Sequence, residues 1–155
     1  MEKQMTELHA GDTAPDFTLP TDEGNFTLSA QRGKQVVLFF YPKDNTSGCT
    51  KEAIGFSEQL GQFKEKNTLV VGLSPDSVKS HQNFRSKQNL TVILASDTEK
   101  EVLEKYQVWK EKSMYGKKYM GVERSTFLID EHGKIKKSWR KVKVPGHVEE
   151  VLASL

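Results

Sequence analysis

Six consecutive residues, Val36-Val37-Leu38-Phe39-Phe40-Tyr41, constrain this chain more than any other feature. The run is β-branched or aromatic at almost every position, too short for a helix, and bounded by Gly33 and Pro42. It has no polar alternation, so a strand built from it offers no face to water and must be covered on both sides. Leu69–Leu73, Val92–Ala95 and Thr126–Ile129 have the same character, and a more polar strand runs from Ile135 to about Trp139 after the turn Glu131-His132-Gly133-Lys134.

Helical patterns lie between these runs. Ala53, Phe56, Leu60 and Phe63 form one apolar stripe at helical spacing. Val78, His81 and Phe84 mark a second helix, opening at Ser74-Pro75-Asp76; Val102, Leu103 and Tyr106 mark a third; Val148, Val151, Leu152 and Leu155 a fourth. Strands alternating with helices of this length predict an α/β fold with a mixed, mostly parallel central sheet flanked by helices. Phe17–Leu19 and Phe26–Leu28, joined by Thr21-Asp22-Glu23-Gly24-Asn25, add an N-terminal β-hairpin. Tyr106–Met120, polar and lysine-rich, reads as a mobile loop, with Trp109 as either its anchor or part of a pocket wall.

A chain of 155 residues fits one domain, residues 1–155, and at this size folding buries about 68–70% of the surface the unfolded chain exposes. No disulfide staple is needed, and none can form within the chain, because Cys49 is the only cysteine. The same count rules out a Cys-x-x-Cys redox pair. The longest apolar run is far shorter than a bilayer requires. Glu2, Glu7 and Asp12 give residues 1–12 none of the character of a secretory signal or transit peptide, so a cytoplasmic protein is expected. The net charge of +2 calls for no nucleic-acid partner. Lys105–Lys143 nonetheless holds 12 of the 23 lysines and arginines against four acids, a bias that suits the steering of an anionic reductant. The four histidines show no metal-ligand spacing, and no metal or cofactor is expected.

In an open α/β sheet, chemistry gathers at the carboxyl ends of parallel strands. The strand ending at Tyr41-Pro42 is followed by Lys43-Asp44-Asn45-Thr46-Ser47-Gly48-Cys49-Thr50-Lys51-Glu52, which runs into the first helix. Cys49 therefore falls in a first helical turn, where free N–H groups and the helix dipole favour an anion such as a thiolate. Thr46 and Glu52 lie three residues to either side and share its face: Thr46 is placed to donate its hydroxyl proton to a bound oxygen, Glu52 to orient a cation. A lone cysteine is otherwise a small, buried, inert residue, and position alone leaves both readings open.

The segment Phe40-Tyr41-Pro42-Lys43-Asp44-Asn45-Thr46-Ser47-Gly48-Cys49-Thr50-Lys51-Glu52-Ala53 resembles the active-site segment of peroxiredoxins, in particular the bacterioferritin comigratory protein or peroxiredoxin Q branch. Gly11–Leu19, Val71–Ser74 and Gly121–Asp130 extend the resemblance in the right order along nearly the whole chain. It implies a thioredoxin-like fold and a thiol-dependent peroxidase acting on hydrogen peroxide and organic hydroperoxides. Cys49 then matches the peroxidatic cysteine that becomes a sulfenic acid, Thr46 the threonine that hydrogen-bonds the peroxide, and Pro42 the proline that shields the thiolate. Arg124 matches the arginine that stabilises the thiolate and polarises the oxygen–oxygen bond, and Glu52 a carboxylate that holds that arginine. Read without the resemblance, Arg124 is a surface cation at the start of a strand.

Two departures stand out. Where many relatives carry a resolving cysteine, this chain has Ile54 and, approximately, Arg85, so the resemblance implies reduction by an external thiol such as thioredoxin or glutathione with glutaredoxin. Ser47 stands where relatives usually have proline, which implies a looser active-site turn. A monomer is the expected state, with a weak dimer as the alternative. The competing functional reading is a redox-sensing or binding module on the same fold, oxidised at Cys49 without sustained turnover. Nucleic-acid binding through the basic C-terminal third is weaker still.

Overall fold

The computed structural model of the protein describes residues 8–155; of the N-terminal stretch read above, residues 1–7 lie outside the described residues. Among the described residues, nine strands and five α-helices follow one another, with a short 3-10 helix at Leu28–Gln31: β1 (Thr18–Thr21), β2 (Gly24–Thr27), β3 (Gln35–Phe40), α1 (Ser47–Glu58), α2 (Leu60–Glu65), β4 (Thr68–Ser74), α3 (Val78–Gln88), β5 (Ile93–Ser96), α4 (Glu101–Lys105), β6 (Trp109–Met114), β7 (Lys117–Val122), β8 (Ser125–Ile129), β9 (Ile135–Trp139) and α5 (His147–Ala153). Seven strands form one sheet in the order β2-β1-β5-β4-β3-β8-β9.

The apolar run sits near the middle of that sheet as β3, parallel to β4 and antiparallel to β8. Strand alternation divides its side chains between two cores. Val36, Leu38 and Phe40 point into one, with Phe17, Phe26, Leu103, Tyr106 and Phe127. Val37 and Phe39, followed by Tyr41, point into the other, with Cys49, Ala53, Phe56, Phe63, Phe84, Val148 and Val151. Helices α1, α2, α3 and α5 thus cover one face, while α4 and the N-terminal segment cover the other.

The α/β class matches the expectation, but its strand balance differs. Among the described residues, only β3–β4 and β4–β5 of this sheet are parallel; its other four pairings are antiparallel. At both ends of the sheet, short turns join β1 to β2 and β8 to β9, and a short connection permits only an antiparallel neighbour. The apolar stripe predicted as one helix is two, α1 and α2, broken at Gln59. The second helix begins later than Ser74-Pro75-Asp76 predicts: β4 continues through Ser74, and Ser77 is the N-cap, its side chain accepting from the Ser80 N–H at 3.1 Å.

Residues 106–120 are not a loop. β6 and β7 form a separate antiparallel ribbon closed by Tyr115 and Gly116, with Met114 opposite Lys117. Both turn residues have positive φ, 54° and 79°, as a two-residue hairpin turn of this hand requires, and Gly116 adopts that backbone without steric cost. The ribbon stands out into solvent, so its strands lack the apolar alternation that betrays a strand in sequence. Trp109 anchors its base, packing against the core that contains Tyr106 and Val108. No helix among the described residues is long and apolar enough to cross a membrane.

Candidate active site

The loop after β3 turns over the sheet edge and delivers the chain to α1. Its first helical hydrogen bond runs from the Thr50 N–H to the Thr46 carbonyl at 2.9 Å, so the N–H groups of Gly48 and Cys49 precede the regular ladder. Thr46 occupies the N-cap with extended backbone, yet its side chain does not cap. Its hydroxyl instead donates to the Lys43 carbonyl at 2.8 Å. A hydroxyl has one hydrogen, and this one is committed, so Thr46 Oγ1 has only acceptor capacity left. The sequence reading has this hydroxyl donating to a bound oxygen; in the structure its hydrogen goes to the Lys43 carbonyl.

Cys49 is 1% exposed, its sulfur at the base of the first turn of α1. Arg124 comes from the neighbouring strand, in the two-residue link between β7 and β8 just ahead of Ser125, which pairs with Phe40. Its Nη2 donates to Cys49 Sγ at 3.2 Å, and its Nη1 to Glu52 Oε1 at 2.7 Å. One guanidinium fork therefore spans the sulfur and a carboxylate one helical turn further on, a geometry lysine cannot reproduce. The arginine backbone is also fixed, its carbonyl accepting the Val142 N–H at 2.9 Å. Gly48 makes room for the fork: a Cβ there would lie 3.2 Å from Nη2.

Burial works against the charge on Arg124, but Glu52 and Cys49 outweigh it and hold its pKa above the ordinary value. Glu52 is fully buried, and its Oε2 has no hydrogen-bond partner among the described residues. Burial pushes its carboxyl up from 4.5 to about 7, with the arginine pulling the other way. Pro42 lies half-buried at the exit of β3 and takes no part in the hydrogen bonds of this set. The fold thus gathers Cys49, Arg124 and Glu52 into direct contact, with Thr46 one turn before the sulfur and Pro42 at the mouth of the loop.

Sequence reasoning missed what holds this loop. Asp44 Oδ1 accepts from Tyr41 Oη at 2.6 Å; Asp44 Oδ2 meets Ser80 Oγ at 2.8 Å and His81 Nδ1 at 2.7 Å. The Asp44 N–H donates to Asp76 Oδ2 at 2.8 Å. His81 is wholly buried, with Nε2 against the Ala95 carbonyl at 3.1 Å. The one signal available was His81 falling on the apolar face of α3. Ligand atoms of Asp44, Asp76 and His81 lie within 4.8 Å of one another, as a metal would need, but these hydrogen bonds already engage them.

Residues 10–138 match the model of the AhpC/TSA family. The chain is a peroxiredoxin of that family. A putative peroxiredoxin Bcp of Coxiella burnetii is 52% identical over 149 residues, 96% of this chain and 99% of that protein. A serine-for-cysteine variant of Xylella fastidiosa PrxQ superposes with a TM-score of 0.90 at 43% identity, covering 96% of each chain. Xanthomonas campestris bacterioferritin comigratory protein, studied for alkyl peroxide reduction, gives a TM-score of 0.85 at 44% identity over 89% of this chain and 88% of its own. The peroxiredoxin therefore belongs to the Bcp or peroxiredoxin Q branch, has a thioredoxin-like fold and is a thiol-dependent peroxidase. Its one cysteine leaves it without a resolving partner in the same chain.

Proposed function

We propose that this peroxiredoxin works as a one-cysteine enzyme, with Cys49 as the nucleophile towards hydrogen peroxide and organic hydroperoxides. The observation that carries the reading is the Arg124 fork, which gives Cys49 Sγ a charged donor at 3.2 Å in a buried setting. The thiolate attacks the terminal peroxide oxygen. A sulfur–oxygen bond forms, the oxygen–oxygen bond breaks, and sulfur supplies the electron pair. The leaving oxygen departs as hydroxide or alkoxide and takes up a proton to become water or alcohol, while Cys49 becomes a sulfenic acid.

Thr46 Oγ1 accepts the hydrogen of the peroxide and so orients it. Arg124 and the free N–H groups at the start of α1 stabilise the charge that builds on the departing oxygen. Glu52 positions Arg124, and Pro42 shields the sulfur from water. An external thiol then condenses with the sulfenic acid, releasing water and leaving a mixed disulfide that a second thiol reduces. Thioredoxin, or glutathione with glutaredoxin, fits this need. A monomer working in a reducing cytoplasm suits a cycle that depends on external thiol.

The test is peroxide consumption under a continuous supply of thiol, wild type against Cys49→Ser. Consumption should vanish in the variant, and wild-type protein given one equivalent of hydrogen peroxide should gain one oxygen by intact mass. Persisting activity in the variant would sink the mechanism. Oxidation of the wild type without repeated turnover would leave a redox sensor instead.

A further inference from the structure

Beside the catalytic arginine lies an open depression of about 570 Å³, lined by Lys110, Glu111, Lys112, Glu123, Arg124 and Lys141 together with Val142. Four cations and two acids line it, and the acids are already engaged. Glu123 pairs with Lys110 at 3.4 Å, and Glu111 meets Lys118 at 3.9 Å. Arg124 is committed to Cys49 and Glu52. Among the described residues, Lys112 and Lys141 have no carboxylate within ion-pair distance.

Both lysines line this place, Lys112 through its packed stem and Lys141 through a fixed backbone turn. Lys112 is half-buried on β6, and its stem crosses the ribbon over Gly121, where a Cβ would come 3.2 Å from Lys112 Cδ. A side chain at position 121 would displace that stem. Lys141 has a left-handed backbone, φ 50°, uncommon for a residue with a Cβ. The next N–H, that of Val142, donates to the Arg124 carbonyl at 2.9 Å and ties the Lys141 turn to the catalytic strand. Lys112 is depressed below its ordinary pKa first by desolvation and then by Arg124, while Cys49 and Glu123 pull it up, so its ammonium sits within electrostatic reach of the sulfur. Two cations without an ion-pair partner among the described residues, Lys112 half-buried and Lys141 exposed at the rim, line an open depression beside the sulfur's arginine and lack only the anion.

We propose that this depression binds a carboxylate carried by the small co-substrates of Cys49, with Lys112 and Lys141 as the anchoring cations. The inference rests on the one-cysteine reading above and extends it by naming the chemistry of the molecule that reaches the sulfur. An anionic thiol such as glutathione has carboxylates at both ends and its sulfur between them. Anchored here, its thiol attacks the Cys49 sulfenic acid: a sulfur–sulfur bond forms, the sulfur–oxygen bond breaks, and oxygen leaves as water with the hydrogens of the thiol and the sulfenic acid. A fatty-acid hydroperoxide presents the same carboxylate in the oxidative half of the cycle.

The experiment compares ratios of rate constants in the full chain, wild type against the double variant K112Q/K141Q. In the thiol arm, Cys49 is first oxidised with one equivalent of hydrogen peroxide, and its reduction by glutathione is timed against reduction by uncharged 2-mercaptoethanol. In the peroxide arm, oxidation by linoleic acid hydroperoxide is timed against tert-butyl hydroperoxide. The anionic-to-neutral ratio should fall about tenfold in the double variant in at least one arm, and the arm that responds identifies the source of the carboxylate. In the wild type that same ratio should fall as salt is raised, a check that needs no variant. Ratios unchanged in both arms, or rates that fall equally for charged and neutral reagents, overturn the subsite while leaving the peroxidase reading intact. Failure of hydrogen peroxide to oxidise wild-type Cys49 at all would instead overturn the reading on which the subsite rests.

Discussion

Glu52 shows how one residue can be costly to the fold and useful to the site. It is an acid in a wholly buried position, one guanidinium away from the Cys49 sulfur. Because its carboxyl is raised from 4.5 to about 7, the folded protein keeps a proton there that the unfolded chain releases at lower pH. This contribution to stability is fully present below the unfolded value and is lost as pH rises towards 7, about 3 kcal/mol across the window. Glu52→Gln has no such titration. Urea unfolding at both ends of the window should show the wild type losing about that much relative to the variant, and parallel pH profiles would disprove the buried titration. Thr46 teaches a different lesson at the same scale: only its bond to the Lys43 carbonyl shows which way its hydroxyl points.

At the scale of the element, the start of α1 decides how firmly the sulfur is held. Ser47 is its first helical residue, in a place that suits proline, and Thr46 before it has φ −90° and ψ 154°, the extended backbone that a following proline imposes. Ser47→Pro should therefore raise the unfolding free energy by about 0.4–1 kcal/mol, chiefly by restricting the unfolded chain. Denaturant titration measures it, and destabilisation would mean that the Ser47 N–H has a partner it cannot lose. The β6–β7 ribbon marks the limit of reading elements from sequence. Burial does not select its strands; they exist through pairing and a two-residue turn, so hydrophobic periodicity had nothing to detect.

Across the whole molecule, the active-site loop is fastened to α3 and to the end of β4 by Asp44. Its carboxylate serves Tyr41, Ser80 and His81 at once, and the side chains of Asp44 and His81 are 1% and 0% exposed. Asp44→Ala would leave a buried imidazole and phenol without their acceptor. We expect a loss of about 3–5 kcal/mol by denaturant unfolding, together with slower peroxide reaction as residues 42–46 loosen; a loss below about 1 kcal/mol would show that water replaces the carboxylate. The sequence by itself determined the α/β layering, because β3 is apolar on both faces and can be stable only between two layers of helices and loops. It also placed Cys49 in a first helical turn, a local consequence of a strand, a loop and a helix in succession, and the family resemblance singled out Arg124 and Glu52. Tertiary structure alone decided which distant groups meet. Arg124 lies 75 positions from Cys49 and reaches it only because β8 pairs with β3. His81 reaches Asp44 across 37 positions because α3 packs beneath the loop. No local pattern encodes such meetings, since hydrogen-bond geometry and burial depend on where the sheet folds the chain back on itself.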